Sequence, residues 1–169
     1  MWHWLDDPGD HEYTKDVDFA VGRDVTPAVV ERLRSSADAT VRLLPIGGVN
    51  ARIDSSGIRA DFVDRSSEEY GDLNPLYVDA IHAANLSEDR ASGVPVASPE
   101  HLVAMKIGAG TEKDDRDAIR LIAKIEDLDV DKVRELIKKH LGPGTVGRLD
   151  ECMRRAGHPK ARRAYSAGS

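Results

Sequence analysis

Residues 14–21, Thr-Lys-Asp-Val-Asp-Phe-Ala-Val, alternate polar and apolar side chains with a period of two. That periodicity fits a half-buried strand and does not fit an amphipathic helix. On a strand, Asp16, Asp18 and Ala20 share one face, and Val17, Phe19 and Val21 share the other. The apolar set can turn to a core, which leaves two carboxylates one pleat apart on the wetter side. Like charges that close repel each other, and a bound divalent cation is the usual remedy. For an isolated D-x-D, a strand with a solvated acidic face is the competing explanation.

A second acidic strand strengthens the first. Residues 58–64, Ile-Arg-Ala-Asp-Phe-Val-Asp, place Arg59, Asp61 and Val63 on one face and Ala60 and Phe62 on the other. Strand interiors disfavour aspartate, so Asp61 calls for a reason. If this strand pairs beside 14–21, Asp61 converges on Asp16 and Asp18. Three carboxylates together suit Mg²⁺, which takes oxygen ligands and keeps waters and phosphate oxygens in its shell.

Between these strands, Thr26 and Pro27 form a helix start, with Thr26 as cap, and the helix should fade near Ser35 and Ser36. Strands are expected at 40–44 and 49–54, with Gly47-Gly48 as a turn and Ser55-Ser56-Gly57 as a hairpin loop into 58–64. A helix is expected over 75–85 and a polar loop over 88–93. Val94-Pro95-Val96-Ala97 reads as a short edge strand because of its proline. Ser98-Pro99-Glu100 opens the next helix, which Gly108 and Gly110 should end. Three more amphipathic helices follow, at 118–125 after the charged run 113–117, at 130–141 up to Gly142-Pro143, and at about 146–156. The tail 157–169 holds Lys160, Arg162 and Arg163 without an apolar stripe and is expected to fray.

At 169 residues the chain fits one domain, or one domain with a helical extension. With 32% charged residues and no apolar run near the length of a membrane span, it reads as a soluble protein that does not act in a membrane. The N-terminus, with Trp2 and Trp4 among acids, lacks the pattern of a secretory signal. Cys152 is the only cysteine, which excludes an internal disulfide and fits a cytoplasmic setting; in its arginine-rich helix it reads as a packing residue. Residues 1–100 hold 19 Asp and Glu against 9 Lys and Arg, whereas 101–169 hold 11 against 15. That bias allows steering of a polyanion and equally a solvated helical surface. The six histidines are scattered without zinc-ligand spacing, and there is no G-x-S-x-G, Walker loop or G-x-G-x-x-G.

Lys106 stands inside the otherwise apolar helix that begins at Pro99. Spacing alone leaves two roles open: an ammonium that snorkels to solvent, or a cation that reaches a phosphate.

Taken together, Thr14-Lys15-Asp16-Val17-Asp18-Phe19, Ile58-Arg59-Ala60-Asp61-Phe62-Val63, the run from Val94 through Ser98 to Lys106, and Lys113-Asp114 with Asp117 resemble the nucleotidyltransferase superfold. That family includes DNA polymerase beta and kanamycin nucleotidyltransferase, and the pattern is most similar to small bacterial proteins allied to the AbiEii toxin. The resemblance covers roughly residues 12–128. It implies an α/β (α+β) fold with a mixed sheet, a core over 1–128 and a C-terminal helical extension over 129–169 with a flexible basic tail. It further implies that Asp16, Asp18 and Asp61 hold two Mg²⁺ (or Mn²⁺) ions. Asp61 would also orient or accept the proton of an acceptor hydroxyl. Lys106, Thr14 and Lys15 would contact the nucleotide, with Arg59 and Asp117 as supporting residues.

The implied reaction moves a nucleoside monophosphate from an NTP to a hydroxyl on a tRNA, a protein or a small molecule, as in a toxin–antitoxin pair. Two-metal in-line displacement has the right charge logic for such a site. One element of the family pattern is not found. The family has a helix ending in Gly-Ser or Gly-Gly some ten residues before its Asp pair, and the residues before Thr14 contain no such pair. The family's first helix is therefore expected to be missing. A second reading stays open, a non-catalytic relative that binds an antitoxin or other protein partner.

Overall fold

In the computed structural model, the described residues are 16–21, 26–36, 38–45, 47–65, 73–91 and 93–159, with Asp16 and Thr26 described by backbone alone. The expectations on Thr14, Lys15 and the basic residues Lys160, Arg162 and Arg163 fall outside them. The chain is of mixed α and β class, as expected. The described residues divide into two compact units, one within Glu12–Ile81 and one within His82–Ser169. Residue 128, the expected end of the core, lies inside the second unit.

The first unit holds β1 (Asp16–Val21), α1 (Thr26–Arg34), β2 (Ala39–Leu43), β3 (Gly48–Ile53), β4 (Arg59–Asp64) and the start of α2 (Asn74–Leu86). Its sheet runs in the order β1-β4-β3-β2. β1 pairs with β4 in parallel, and the other neighbours are antiparallel. Parallel pairing cannot be closed by a tight turn, and α1 with two antiparallel strands makes the crossover. The pleat sorts the side chains as alternation predicts. Phe19 and Phe62 are register partners and stack with ring centroids 4.9 Å apart and planes 9° apart. Val49 and Ala51 share that face and are fully buried. α1 packs over β2 and β3. Val17, at the sheet edge, is 48% exposed, so the apolar stripe of β1 is only partly covered. Arg65 lies over the Tyr77 ring, 4.5 Å from its centroid, and ties the end of β4 to α2.

The second unit carries a two-stranded ribbon, β5 (Arg90–Ala91) with β6 (Val94–Pro95), then α3 (Pro99–Ala109), α4 (Glu112–Lys124), α5 (Val130–His140) and α6 (Val146–Arg155). A 3₁₀ turn at Pro143–Thr145 leads into α6. The polar loop expected at 88–93 contains β5, whose Arg90 guanidinium donates to the carbonyls of Ala84, Ser87 and Asp89. α3 starts as expected, with Ser98 as cap and Pro99 at the first position. Gly108 does not end it; the helix runs to Ala109, and Gly110, at φ +69°, provides the left-handed stop. α4 begins six residues before the expected 118, because Thr111 caps it and Asp114 returns to the Thr111 hydroxyl. Val103, Ala104, Ile107, Leu121, Val133, Ile137 and Leu149 form the core among these helices. Cys152 is buried there, as the packing role implies. Among the described residues, no helix is long and apolar enough to cross a membrane.

Gly47-Gly48 forms the turn between β2 and β3, and Gly48 is its constrained member. Its φ is +98°, and a Cβ there would lie 2.0 Å from the Phe62 carbonyl oxygen on β4. Gly57, at φ +70°, has nothing within 4 Å. Gly48→Ala should therefore cost about 2–4 kcal/mol, from strain plus overlap. Gly57→Ala should cost about 1 kcal/mol from strain alone. Urea unfolding of the two variants checks the ranking; equal losses would contradict it.

Candidate functional site

Register decides which of the expected site residues meet. On β1 and β4, Asp18 pairs with Asp61, and Asp16 pairs with Arg59. Parallel strands in register put paired side chains on one face about 5 Å apart, so Asp18 and Asp61 are neighbours on the polar face of the sheet. Asp16 takes the adjacent register position on β1; its side chain lies outside the described residues. Among the described residues, no three His, Cys, Asp or Glu side chains form a group that could hold a metal ion.

The polar face continues across the sheet. Asn50 on β3 is the register partner of Asp61 and donates from Nδ2 to Asp61 Oδ1 at 2.5 Å. Arg42 on β2 is the partner of Asn50, and Arg52 on β3 is the partner of Arg59. Two rows therefore cross the four strands: Asp18, Asp61, Asn50, Arg42, and Asp16, Arg59, Arg52, Thr40. Asn50 orients the Asp61 carboxylate and leaves Oδ2 without a hydrogen bond from the described residues. A partly buried carboxylate with one oxygen fixed and the other open, next to a second carboxylate, is a donor set that fits a hard divalent cation. Asn50, Arg42 and Arg52 were not among the expected site residues, because only strand pairing brings them alongside Asp61 and Arg59.

Lys106 belongs to the second unit and has a defined setting there. Its Nζ is 2.9 Å from Asp114 Oδ1 and 2.8 Å from Asp117 Oδ2, both on α4, with the lysine side chain 27% exposed. The structure thus brings together Lys106 and Asp117, two of the expected residues, and adds Asp114. Thr111 Oγ1 donates to Asp114 Oδ2 at 2.6 Å, which links the helix cap to the ion pairs. Burial of the Lys106 ammonium pulls its pKa down, but the hydrogen bonds to Asp117 and Asp114 and their charges outweigh this, and the net shift is upward. Burial pushes Asp114 up, and the hydrogen bonds from Thr111 and Lys106 more than reverse it, so its net shift is downward. Nearby, Arg148 of α6 donates to the Gly110 carbonyl at 3.0 Å and to Asp115 at 2.8 Å, bracing the same corner.

The second unit also has a cleft of about 340 Å³, lined by Ser87, Asp89, Ser98, Glu100, His101 and Lys132 among others. Ser98 Oγ lies 2.9 Å from His101 Nδ1. Lys132 Nζ is 3.5 Å from Glu100 Oε2, and the Asp129 N–H donates to Glu100 Oε1 at 3.4 Å. Each of these pairs joins or caps helices, which gives Ser98, Glu100 and Lys132 a structural role.

No protein-family model matches the sequence, and a comparison with curated proteins finds no match.

Removing the Lys106 charge should show the strength of its node. Lys106→Met leaves Asp114 and Asp117 facing each other half-buried and should cost about 2 kcal/mol. The raised lysine pKa means that its contribution is full below the ordinary lysine value and is lost as pH climbs through the raised one. The lowered Asp114 pKa means that its contribution is present above the ordinary aspartate value and is lost as pH falls through the lowered one. The difference between wild type and Lys106→Met in urea unfolding should therefore be largest near neutrality and shrink toward both extremes. A difference that does not vary with pH would contradict these ion pairs.

Proposed function

We propose that this protein is a cytoplasmic, Mg²⁺-dependent nucleotidyltransferase that moves a nucleoside monophosphate from an NTP to a hydroxyl acceptor. One observation carries this proposal: Asp18 and Asp61 are register partners on adjacent parallel strands, with Asp61 held by Asn50. Two carboxylates side by side on a sheet supply oxygen donors of the kind that a hard divalent cation takes. The residues that would hold the metal are Asp16, Asp18 and Asp61. When bound, Mg²⁺ (or Mn²⁺) supplies charge neutralisation on the phosphate oxygens of the nucleotide.

The chain's own contributions follow from the geometry. Asn50 fixes the orientation of Asp61, so the open oxygen of Asp61 stays aimed away from the amide. Asp61 is also the group suited to receive the proton of the acceptor hydroxyl, through that open oxygen. Arg59 adds a cation one pleat along the strand from Asp61. Thr14 and Lys15 remain proposed nucleotide contacts. The acceptor class stays open among a tRNA, a protein and a small molecule, with a toxin–antitoxin role as its biological form.

A second reading is favoured by a separate observation. The Lys106 charge is matched by two carboxylates, Asp114 and Asp117, so it serves the helix pair rather than a phosphate. On that reading the protein binds a partner, an antitoxin for instance, and keeps the acidic pair without turnover.

Thermal unfolding with Mg²⁺ and each NTP separates the two. A ligand that binds only the native state at a hundredfold excess over its Kd stabilises by about 2.7 kcal/mol, which is a rise of about 5–10 °C for a chain of this size. The enzyme reading expects that rise with at least one NTP, and its loss in Asp18→Asn and Asp61→Asn. No rise in the wild type with any NTP leaves the partner-binding reading.

A further inference from the structure

We propose that Arg42, Arg52 and Arg59 form a binding strip for a compact polyphosphate anion on the polar face of the four-stranded sheet. The strip stands on its own geometry; its use for the polyphosphate of a nucleotide rests on the function proposed above. Arg59 on β4 and Arg52 on β3 are register partners. Arg42 on β2 pairs with Asn50, which places it diagonal to Arg52 on the same face. All three residues are exposed. Among the described residues, none of the three guanidinium groups takes part in an ion pair or a side-chain hydrogen bond. Like charges directly opposite across two strands destabilise a sheet, so Arg52 against Arg59 is a cost that a bound anion would remove.

Charge and size select the occupant. Guanidinium groups match phosphate oxygens through paired N–H donors, and Arg is the residue suited to that planar contact. Three such groups over two strand spacings cover about 10 Å, the scale of a triphosphate rather than of an extended nucleic acid. The first unit, Glu12–Ile81, also holds 13 Asp and Glu against 8 Lys and Arg, so a long polyanion would meet net repulsion around the strip. Asp61 lies two residues from Arg59 on the same strand and the same face, so one end of a polyphosphate on the strip comes to the carboxylate pair. The phosphate-binding charge therefore comes from the two middle strands, with Arg59 and Arg52, and from the edge strand β2, with Arg42, and needs no glycine turn.

The test uses the full chain, inorganic tripolyphosphate and EDTA, so that no metal links the anion to the aspartates and any binding comes from the cations. Calorimetry should show binding to wild type that weakens as salt is raised. Arg52→Gln/Arg59→Gln should weaken it by about tenfold or more, the worth of losing a charge-assisted hydrogen bond. Arg32→Gln/Arg34→Gln, on α1, should leave it unchanged. Without ligand, Arg52→Gln/Arg59→Gln should melt at or above the wild-type midpoint, because a repulsion has been removed. That midpoint also shows that the variant is folded. No tripolyphosphate binding by wild type, or equal binding by Arg52→Gln/Arg59→Gln, overturns the strip. Binding of a single-stranded RNA oligomer through these arginines without tripolyphosphate binding overturns the compact occupant. Because metal is excluded, a positive result here with no Mg²⁺–NTP stabilisation keeps the strip while removing the enzyme reading, and the reverse pattern does the opposite.

Discussion

Parallel pairing of β1 with β4 is the constraint on which the first unit depends. Nothing local enforces it, since the two strands are separated by α1, β2 and β3. The apolar face supplies the reason: Phe19 stacks on Phe62 in register, beside buried Val49 and Ala51. A slip of one residue would turn Phe19 out to solvent and carry Asp18 to the apolar side. The same register that closes the aromatic pair therefore sets Asp18 beside Asp61. Packing on one face thus sets two carboxylates at paired positions on the other. Gly48 belongs to the same arrangement, because only a residue without a Cβ lets β3 approach the Phe62 carbonyl.

In the second unit the equivalent organising feature is the corner between α3 and α4. Gly110 stops one helix, Thr111 caps the next, and Lys106 reaches across to Asp114 and Asp117. The Thr111 hydroxyl contacts Asp114, so the cap and the ion pairs share a carboxylate. Arg148 holds the Gly110 carbonyl and Asp115 from α6. A charged side chain inside an apolar helix is here a junction between two helices.

What could be read from the residues was what is local. Period-two alternation located β1, β3 and β4, and Ser98-Pro99 and Gly142-Pro143 marked helix boundaries because capping acts within one turn. The start of α4 was missed for a physical reason: Glu112 to Asp117 has no apolar stripe, and its helix rests on Thr111 and Asp114 instead. β5 is two residues long, below any periodic signal, and is held by Arg90 gripping the end of α2. The candidate site was legible in part. Asp18 and Asp61 stood out as acids on strands, but Asn50, Arg52 and Arg42 did not, since strand register is a property of the folded sheet. The partners of Lys106, eight and eleven residues away, depend on the geometry of the Gly110–Thr111 corner.

The central claim is that the Asp18–Asp61 pair is a divalent-cation site. Paramagnetic broadening of backbone amide signals on titration with Mn²⁺ tests it most directly, because the effect reports distance to the ion residue by residue. The account predicts selective loss of the Asp18, Phe19, Asn50 and Asp61 signals at substoichiometric Mn²⁺, reversed by excess Mg²⁺ and absent in Asp61→Asn. Broadening centred on Asp114 and Asp117 of α4, or uniform weak broadening over all acidic residues, would contradict it.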